Sequence, residues 1–428
     1  MNYSDYSLID HAKKLFPINR SITGDGTRQT LEHFEKYFPQ LKRVSFKTGE
    51  KVFDWDIPPE WNVNDAFIIH NETGKKFAEF KDLNLHLMGY SEPINKVFDL
   101  EKLKEKIYTL VDQPDLVPYI TSYYSKNWGF CLSQKDKDNL PKGKYTAFID
   151  SSFKQGFLDL SHMTIKGESS SEIFFSSYVC HPSMANNELS GPIVLGGLID
   201  YILKKYPNPK MSYRFVFLPE TIGAIAYLSR YGEDMKKDIK CGLNLSCVGD
   251  ERCYSYVQTP YENTLADKVI SAALIGKKNV KKFSYLDRGS DERQYCSPGF
   301  RLPVCTFCRT KFGEYPEYHT SADNFEVVTE KGLQDSLNVL KTIVDAFEIC
   351  DKPRLATPCE PQLGKRNLYP NIMKKYYSRH PLQTRKDILA YCDGDNTLFD
   401  IAKYTNIELH EVINEIKILS ENNLILKS

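Results

Sequence analysis

Residues 172–206 read EIFFSSYVCHPSMANNELSGPIVLGGLIDYILKKY. The apolar run ending at Cys180 has the length and aromatic content of a strand buried on both faces, and the segment after Glu188 repeats its apolar residues at helical spacing. A buried strand passing through a short polar loop into a helix is one βα unit. The same grammar recurs downstream. YRFVFLPE (213–220) precedes TIGAIAYLSRYGEDMKK (221–237), CGLNLSCVG (241–249) precedes YENTLADKVISAALIGKK (261–278), and LPVCTFCRT (302–310) supplies a fourth strand. Repeated βα units build a largely parallel sheet with helices on its faces, so the sequence predicts an α/β domain.

Upstream, LIDHAKKLFPINRSITGDGTRQTLEHFEKYF (8–38) carries two helical stretches around a Ser/Thr/Gly turn, suited to a cap on the α/β core. KVFDWDIPPEWNVNDAFII (51–69), KKFAEFKD (75–82) and KYTAFID (144–150) are aromatic and β-branched with turn residues between them, which predicts a β-rich insertion. Beyond Pro353, Pro358 and Pro361 the pattern changes to three short helical stretches and a final apolar strand, as in a winged helix. The expected division is an α/β domain formed by 1–47 and 151–355, an inserted β-rich domain over 48–150, and a winged-helix-like domain over 356–428.

The 428 residues are 41% hydrophobic and 26% charged, the balance of a chain that buries at least one large core. Its 56 basic and 56 acidic side chains cancel, which gives no electrostatic reason to expect nucleic acid or an anionic membrane as the main partner. The opening residues lack a basic leader with an apolar run, and no window holds eighteen unbroken apolar residues, so a cytoplasmic enzyme with no membrane partner is expected. Eleven cysteines without a repeating spacing argue for reduced thiols rather than a disulfide framework. Cys305 and Cys308 form a CxxC, but strand alternation turns their sulfurs to different faces and no second pair completes a four-ligand site.

In open α/β sheets the binding crevice lies outside the carboxyl ends of the strands. Few polar side chains are delivered there. His181 follows the run FFSSYVC, Glu220 follows FVFLP, His319 lies in YHTSADN (318–324) after the fourth strand, and Asp291 lies in RGSDERQY (288–295). Two imidazoles and a carboxylate at one sheet edge are the ligand types of a zinc site that keeps an open position for water. Each residue alone also has an ordinary reading: a histidine at a strand end is commonly a hydrogen-bonding loop residue, and an acid there can cap the next helix. No GxGxxG, GxxxxGK[ST] or GxSxG competes for the crevice.

The phrases KVFDWDIPPEW, LHLMGYSEPIN, PYITSYYSKNWGFCLS, CHPSMANNELSG, PETIGAIAYL and YHTSADN occur in an order that resembles the bacterial aminopeptidase-like proteins associated with polysaccharide biosynthesis. That family is in turn similar to the zinc aminopeptidases and glutaminyl cyclases, whose fold is a phosphorylase/peptidase-like mixed sheet flanked by helices. It also carries an inserted β-rich domain and a C-terminal winged helix. The resemblance implies that His181 and His319 are metal ligands, and that Glu220 is the general base or a ligand. It further places Asp291 near the amino group of the substrate. Asn187 falls where relatives place a metal-bridging aspartate, Thr221 where a second glutamate is usual, and Ser246 where another aspartate ends a strand. A neutral amide adds no negative charge to hold two dications together, so one zinc ion is expected rather than two.

The function so implied is zinc-dependent hydrolysis of an amide bond in a small peptide or an aminoacyl or acyl sugar. The alternative is an aminopeptidase-fold scaffold protein of polysaccharide biosynthesis that has lost catalysis. The aromatic insertion, with Tyr90, Tyr119, Tyr123, Tyr124 and Trp128, either walls the mouth of the site or forms the insertion's own core. The would-be recognition helix carries Glu408, Glu411 and Glu415 against Lys417, a poor match to phosphates, so the C-terminal domain is expected to serve packing or homo-oligomer contacts. Lys365, Arg366, Lys374, Lys375, Arg379, Arg385 and Lys386 precede it as possible contacts to another subunit or an anionic partner.

Overall fold

The computed structural model describes residues 2–369 and 381–426. Every residue from Glu172 to Ile199 is buried, which places this segment at the centre of the molecule. Eight strands form the main sheet: β1 (Lys42–Lys47), β2 (Phe157–Ile165), β3 (Glu172–Tyr178), β4 (Ser212–Leu218), β5 (Ile239–Leu245), β6 (Tyr254–Val257), β7 (Val280–Phe283) and β8 (Val304–Cys308). Their order is β1-β2-β4-β3-β5-β8-β6-β7. The four strands read from the sequence are the parallel centre, β4-β3-β5-β8. The antiparallel β1 and β2 on one side, and β6 against β8 on the other, make the sheet mixed rather than largely parallel.

Alternation along β3 sends Ile173 and Phe175 into one core and Phe174 and Tyr178 into another. The first core is covered by α1 (Leu8–Leu15), α2 (Asp25–Tyr37), α3 (Ser190–Lys205), α5 (Leu265–Ala273) and α6 (Glu330–Ile349), the second by α4 (Ile222–Asp238) and the insertion. From β3 the chain passes to β4 on one side and then crosses to β5 on the other. That reversal opens a crevice at the carboxyl end of β3. A Cβ on Gly191 would lie 2.7 Å from the Leu245 carbonyl oxygen and closer still to Ser177, so only glycine lets α3 begin this close to β3 and β5.

The inserted sheet pairs the long strands Glu60–His70 and Lys144–Lys154, with Lys76–Phe77 and Ile94–Asp99 on its edges. The C-terminal helices α7 (Pro381–Leu389), α8 (Leu398–Thr405) and α9 (Leu409–Glu421) bury Phe399, Val412 and Ile416 in the same core as α6. Short pairing of Leu355 with Ile425 closes this domain. Of the basic residues ahead of α9, Arg385 is paired with Glu415 at 2.8 Å and Lys386 approaches Glu360 at 4.0 Å, whereas Lys374, Lys375 and Arg379 lie outside the described residues. Among the described residues no helix is long and apolar enough to cross a membrane. The CxxC is part of β8, with Cys305 and Cys308 buried in different clusters, as strand alternation requires.

The N-terminal cap contains a buried histidine pair. His11 Nε2–H donates to the Tyr3 carbonyl (2.9 Å), which leaves Nδ1 to accept from His33 Nε2–H at 3.0 Å, so both rings are neutral. Burial, followed by the neighbouring His11, holds His33 down at about 4. Because the unfolded chain takes up the proton first, this group's contribution to stability is complete above about pH 6.5 and lost as pH falls toward 4. His162, also held near 4 by burial, acts in the same direction. We expect Tm to drop steadily between pH 7 and 4.5, with a shallower slope in His33→Gln; an unchanged slope would remove the cap from this account.

Candidate metal and hydrolytic site

The crevice at the end of β3 receives His181 from β3, Glu220 from β4 and His319 from the loop after β8. His181 Nε2 faces Glu220 Oε2 across 3.9 Å, and the two imidazole centres are 5.6 Å apart. The backbone N–H of His181 donates to Glu188 Oε2 at 2.9 Å, and the ring Nδ1–H donates to the same oxygen at 3.1 Å. The tautomer is thereby fixed with the Nε2 lone pair toward Glu220. Glu188 sits in a π-helical turn, Ala185–Leu189, that bends the chain just before α3. Its other oxygen meets Arg20 Nε at 3.0 Å with both side chains fully buried. Arg20 also donates to the carbonyls of His181 (2.9 Å) and Leu15 (2.7 Å), tying the cap to the crevice.

Glu220 is positioned by strain. Its carbonyl accepts from Ile222 N–H at 2.8 Å, closing a γ-turn centred on Thr221 at φ 65° and ψ −77°. A β-branched residue in that region carries backbone strain, typically about 1–3 kcal/mol. The turn is held by Asp291 Oδ1, which accepts Thr221 N–H at 2.8 Å, and by Arg293 donating to the Thr221 hydroxyl at 2.5 Å. Ser290 donates to Glu220 Oε1 at 2.9 Å, which leaves Oε2 for the crevice.

Burial pushes the Glu220 carboxyl up, opposed by the charge of His181 and the Ser290 hydrogen bond. Asp291 is raised well above the usual carboxylate range, first by burial and then by the charge of Glu220. Burial drags His181 down, but the Glu188 hydrogen bond and charge outweigh it and the net shift is upward. His319 is held at about 3 by burial and by His181.

A resident metal can be tested against these donors. Tetrahedral zinc with bonds of about 2.0–2.2 Å holds two donors about 3.3–3.6 Å apart, and the His181–Glu220 gap of 3.9 Å lies a few tenths of an ångström beyond that. Buried His319 Nε2 has no hydrogen-bond partner, as a ligand atom would in the absence of its metal. The carboxylate on His181 Nδ1 is the outer support that metal-bound histidines characteristically have. Tyr178 OH fills the space between Asn187 Oδ1 (3.1 Å) and Ser246 Oγ (2.7 Å), making a neutral hydrogen-bonded cluster at those two positions. Among the described residues the three donors whose ligand atoms lie within 4.8 Å of one another are Cys180, His181 and Glu188, not His181, Glu220 and His319, but Arg20 already neutralises Glu188 and the Cys180 sulfur accepts the Glu220 N–H.

The five aromatic residues of the insertion divide between the two expected roles. Tyr119 stands 5.1 Å, ring to ring, from both His181 and His319, and its hydroxyl pairs with that of Tyr123 at 2.9 Å. Trp128 packs on Phe98 and Phe130 inside the insertion. Arg20, Tyr178 and Cys180 were not among the residues picked out from the sequence. Arg20 lies in a stretch that reads as a turn and meets Glu188 only through tertiary structure. Tyr178 and Cys180 look like ordinary members of a buried strand.

A mixed α/β sheet with this crevice, a β-rich insertion and a C-terminal winged helix define an aminopeptidase-like fold. The chain belongs to the family described as a domain of unknown function, DUF4910, whose profile matches residues 9–350; a winged helix-turn-helix profile matches 352–427. A Clostridium acetobutylicum relative, provisionally named as a polysaccharide biosynthesis protein with an aminopeptidase-like domain, is 41% identical over 416 residues, spanning 95% of this chain and 92% of its own. A crystal structure from the same species, described provisionally as a peptidase, has a TM-score of 0.88 at 37% identity and covers 98% of this chain and 95% of its own. The zinc aminopeptidase of Bacillus subtilis shares the fold, with a TM-score of 0.56 at 13% identity over 80% of this chain and 93% of its own.

Proposed function

We propose that this chain is a single-zinc hydrolase that cleaves an amide bond in a small peptide or an aminoacyl or acyl sugar. The observation that carries the reading is His181, locked by Glu188 so that its free nitrogen faces Glu220 at 3.9 Å. His181 and His319 would hold the ion, with Glu220 as the base or, failing that, a third ligand, and Asn187, engaged by Tyr178, would lie beside it. When bound, zinc supplies a Lewis acid that brings the pKa of water to about 7. Glu220 Oε2 accepts the proton of the attacking water and returns it to the leaving amine, while Ser290 holds Oε1 still. Asp291 keeps the Thr221 turn in place through Oδ1, and its buried, unpartnered Oδ2 supports a role toward the substrate's amino group.

Ten of the eleven cysteines are buried and all are free, which supports a reducing, cytoplasmic setting. The division into 1–47 with 151–355, 48–150 and 356–428 is retained as the domain proposal. The core shared by α6, α8 and α9 supports a packing role for the winged helix ahead of nucleic-acid binding, with its outer face left for a second copy. A panel of aminoacyl amides and aminoacylated hexosamines tests the activity. Turnover abolished by a chelator and restored by zinc is expected. The neutral side chains at Asn187, Thr221 and Ser246 favour one rival, a non-catalytic scaffold, and absence of turnover in zinc-loaded protein would select it.

A further inference from the structure

A groove of about 490 Å³ opens on the insertion, between the hairpin Lys51–Val52/Trp55–Asp56 and the segment around Tyr124. Tyr90, Tyr124 and Phe153 line it, with the Trp55 indole against Tyr124 at 5.4 Å. Three of these rings are unusually open for aromatic side chains, Tyr124 at 56% exposed, Phe153 at 38% and Trp55 at 37%, while Tyr90 is buried and forms the floor. Phe53 at the hairpin tip, Tyr90 and Tyr124 all have φ near +60°, a backbone state that bulky residues rarely adopt and that is found at ligand clamps. The rings form a continuous path inward. Trp55 meets Tyr124, Tyr124 meets Tyr123 at 6.5 Å, Tyr123 shares a hydrogen bond with Tyr119, and Tyr119 touches both site histidines.

From this we infer that the groove is a pyranose subsite, holding the sugar portion of a substrate whose amide reaches His181 and Glu220. The inference rests on the hydrolase reading for its link to catalysis, but not for the binding itself. Asp56, Glu92 and Lys126 line the groove, two acids against one cation. A purely apolar side chain would strip water from both carboxylates and return no hydrogen bonds. A pyranose presents an apolar C–H face to the rings and a rim of hydroxyl donors to the carboxylates. With two acids against the single Lys126 the lining is net negative, so the subsite favours a neutral or amino-bearing sugar over an anionic one.

Calorimetry with N,N′-diacetylchitobiose, leucinamide and glucuronate tests this on the full chain. Saturable binding of the disaccharide alone is expected, weakened about tenfold or more by Trp55→Ala and by Tyr124→Ala. His181→Ala should bind it as wild type does, so a failed hydrolase reading would leave this result standing. Should either groove variant unfold, selective movement of one of the three tryptophan indole N–H signals in wild-type protein, that of exposed Trp55, gives the same answer. No disaccharide binding, binding indifferent to both variants, or preference for leucinamide or glucuronate would overturn the inference.

Discussion

Arg20→Ala is expected to cost about 3–5 kcal/mol of folding stability, because it strips the guanidinium from a carboxylate buried at the centre of the molecule and leaves that carboxylate only its His181 partner. Arg20 and Glu188 have no exposed side-chain surface, and the same guanidinium satisfies the carbonyls of His181 and Leu15. Removing it therefore leaves a buried carboxylate without its guanidinium and two orphaned acceptors beneath the candidate site. Replacing both members as Arg20→Met/Glu188→Gln removes the charge as well as its partner, and should recover much of the loss. Urea denaturation of the two variants beside wild type reads this directly. A single-variant cost under about 1 kcal/mol would mean that the pair behaves like a surface ion pair.

Glu220→Gln should lower turnover by about 100-fold to 10,000-fold with little change in stability. The amide keeps the shape and the Ser290 hydrogen bond but cannot take a proton, and it removes one of two coupled buried carboxyls. Because His181 and His319 remain, bound zinc should persist at weaker affinity. The separation matters. Turnover lost with metal retained identifies Glu220 as the base, whereas metal and turnover lost together identify it chiefly as a ligand. Full activity in the variant would remove Glu220 from the chemistry. Steady-state kinetics on the best amide of the panel, with metal content measured on the same samples, separates these results.

The parallel centre of the sheet was legible because its strands are buried on both faces and read as unbroken apolar runs, and the same logic led to His181 and Glu220 at strand ends. The flanking strands were not. KRVSFK in β1 alternates exposed and buried residues, and YSYV in β6 is only four residues long with a polar residue inside it, so both give short, weak signals. The site's supporting residues were hidden for a different reason. Arg20 reaches Glu188 across the fold, and Tyr178 reveals its hydroxyl's role only when Ser246 and Asn187 arrive from other elements. The aromatic insertion could not be divided between core and site from composition, since Tyr119 and Trp128 differ only in which neighbours the fold gives them.

The central claim is one metal ion, held through His181. Metal content by mass spectrometry on protein purified without chelator, beside His181→Ala, tests it most directly. The account predicts about one zinc per chain in wild type, lost in the variant. No metal, with none taken up on titration, would contradict it, as would two ions per chain, which the neutral cluster of Tyr178, Asn187 and Ser246 should not permit.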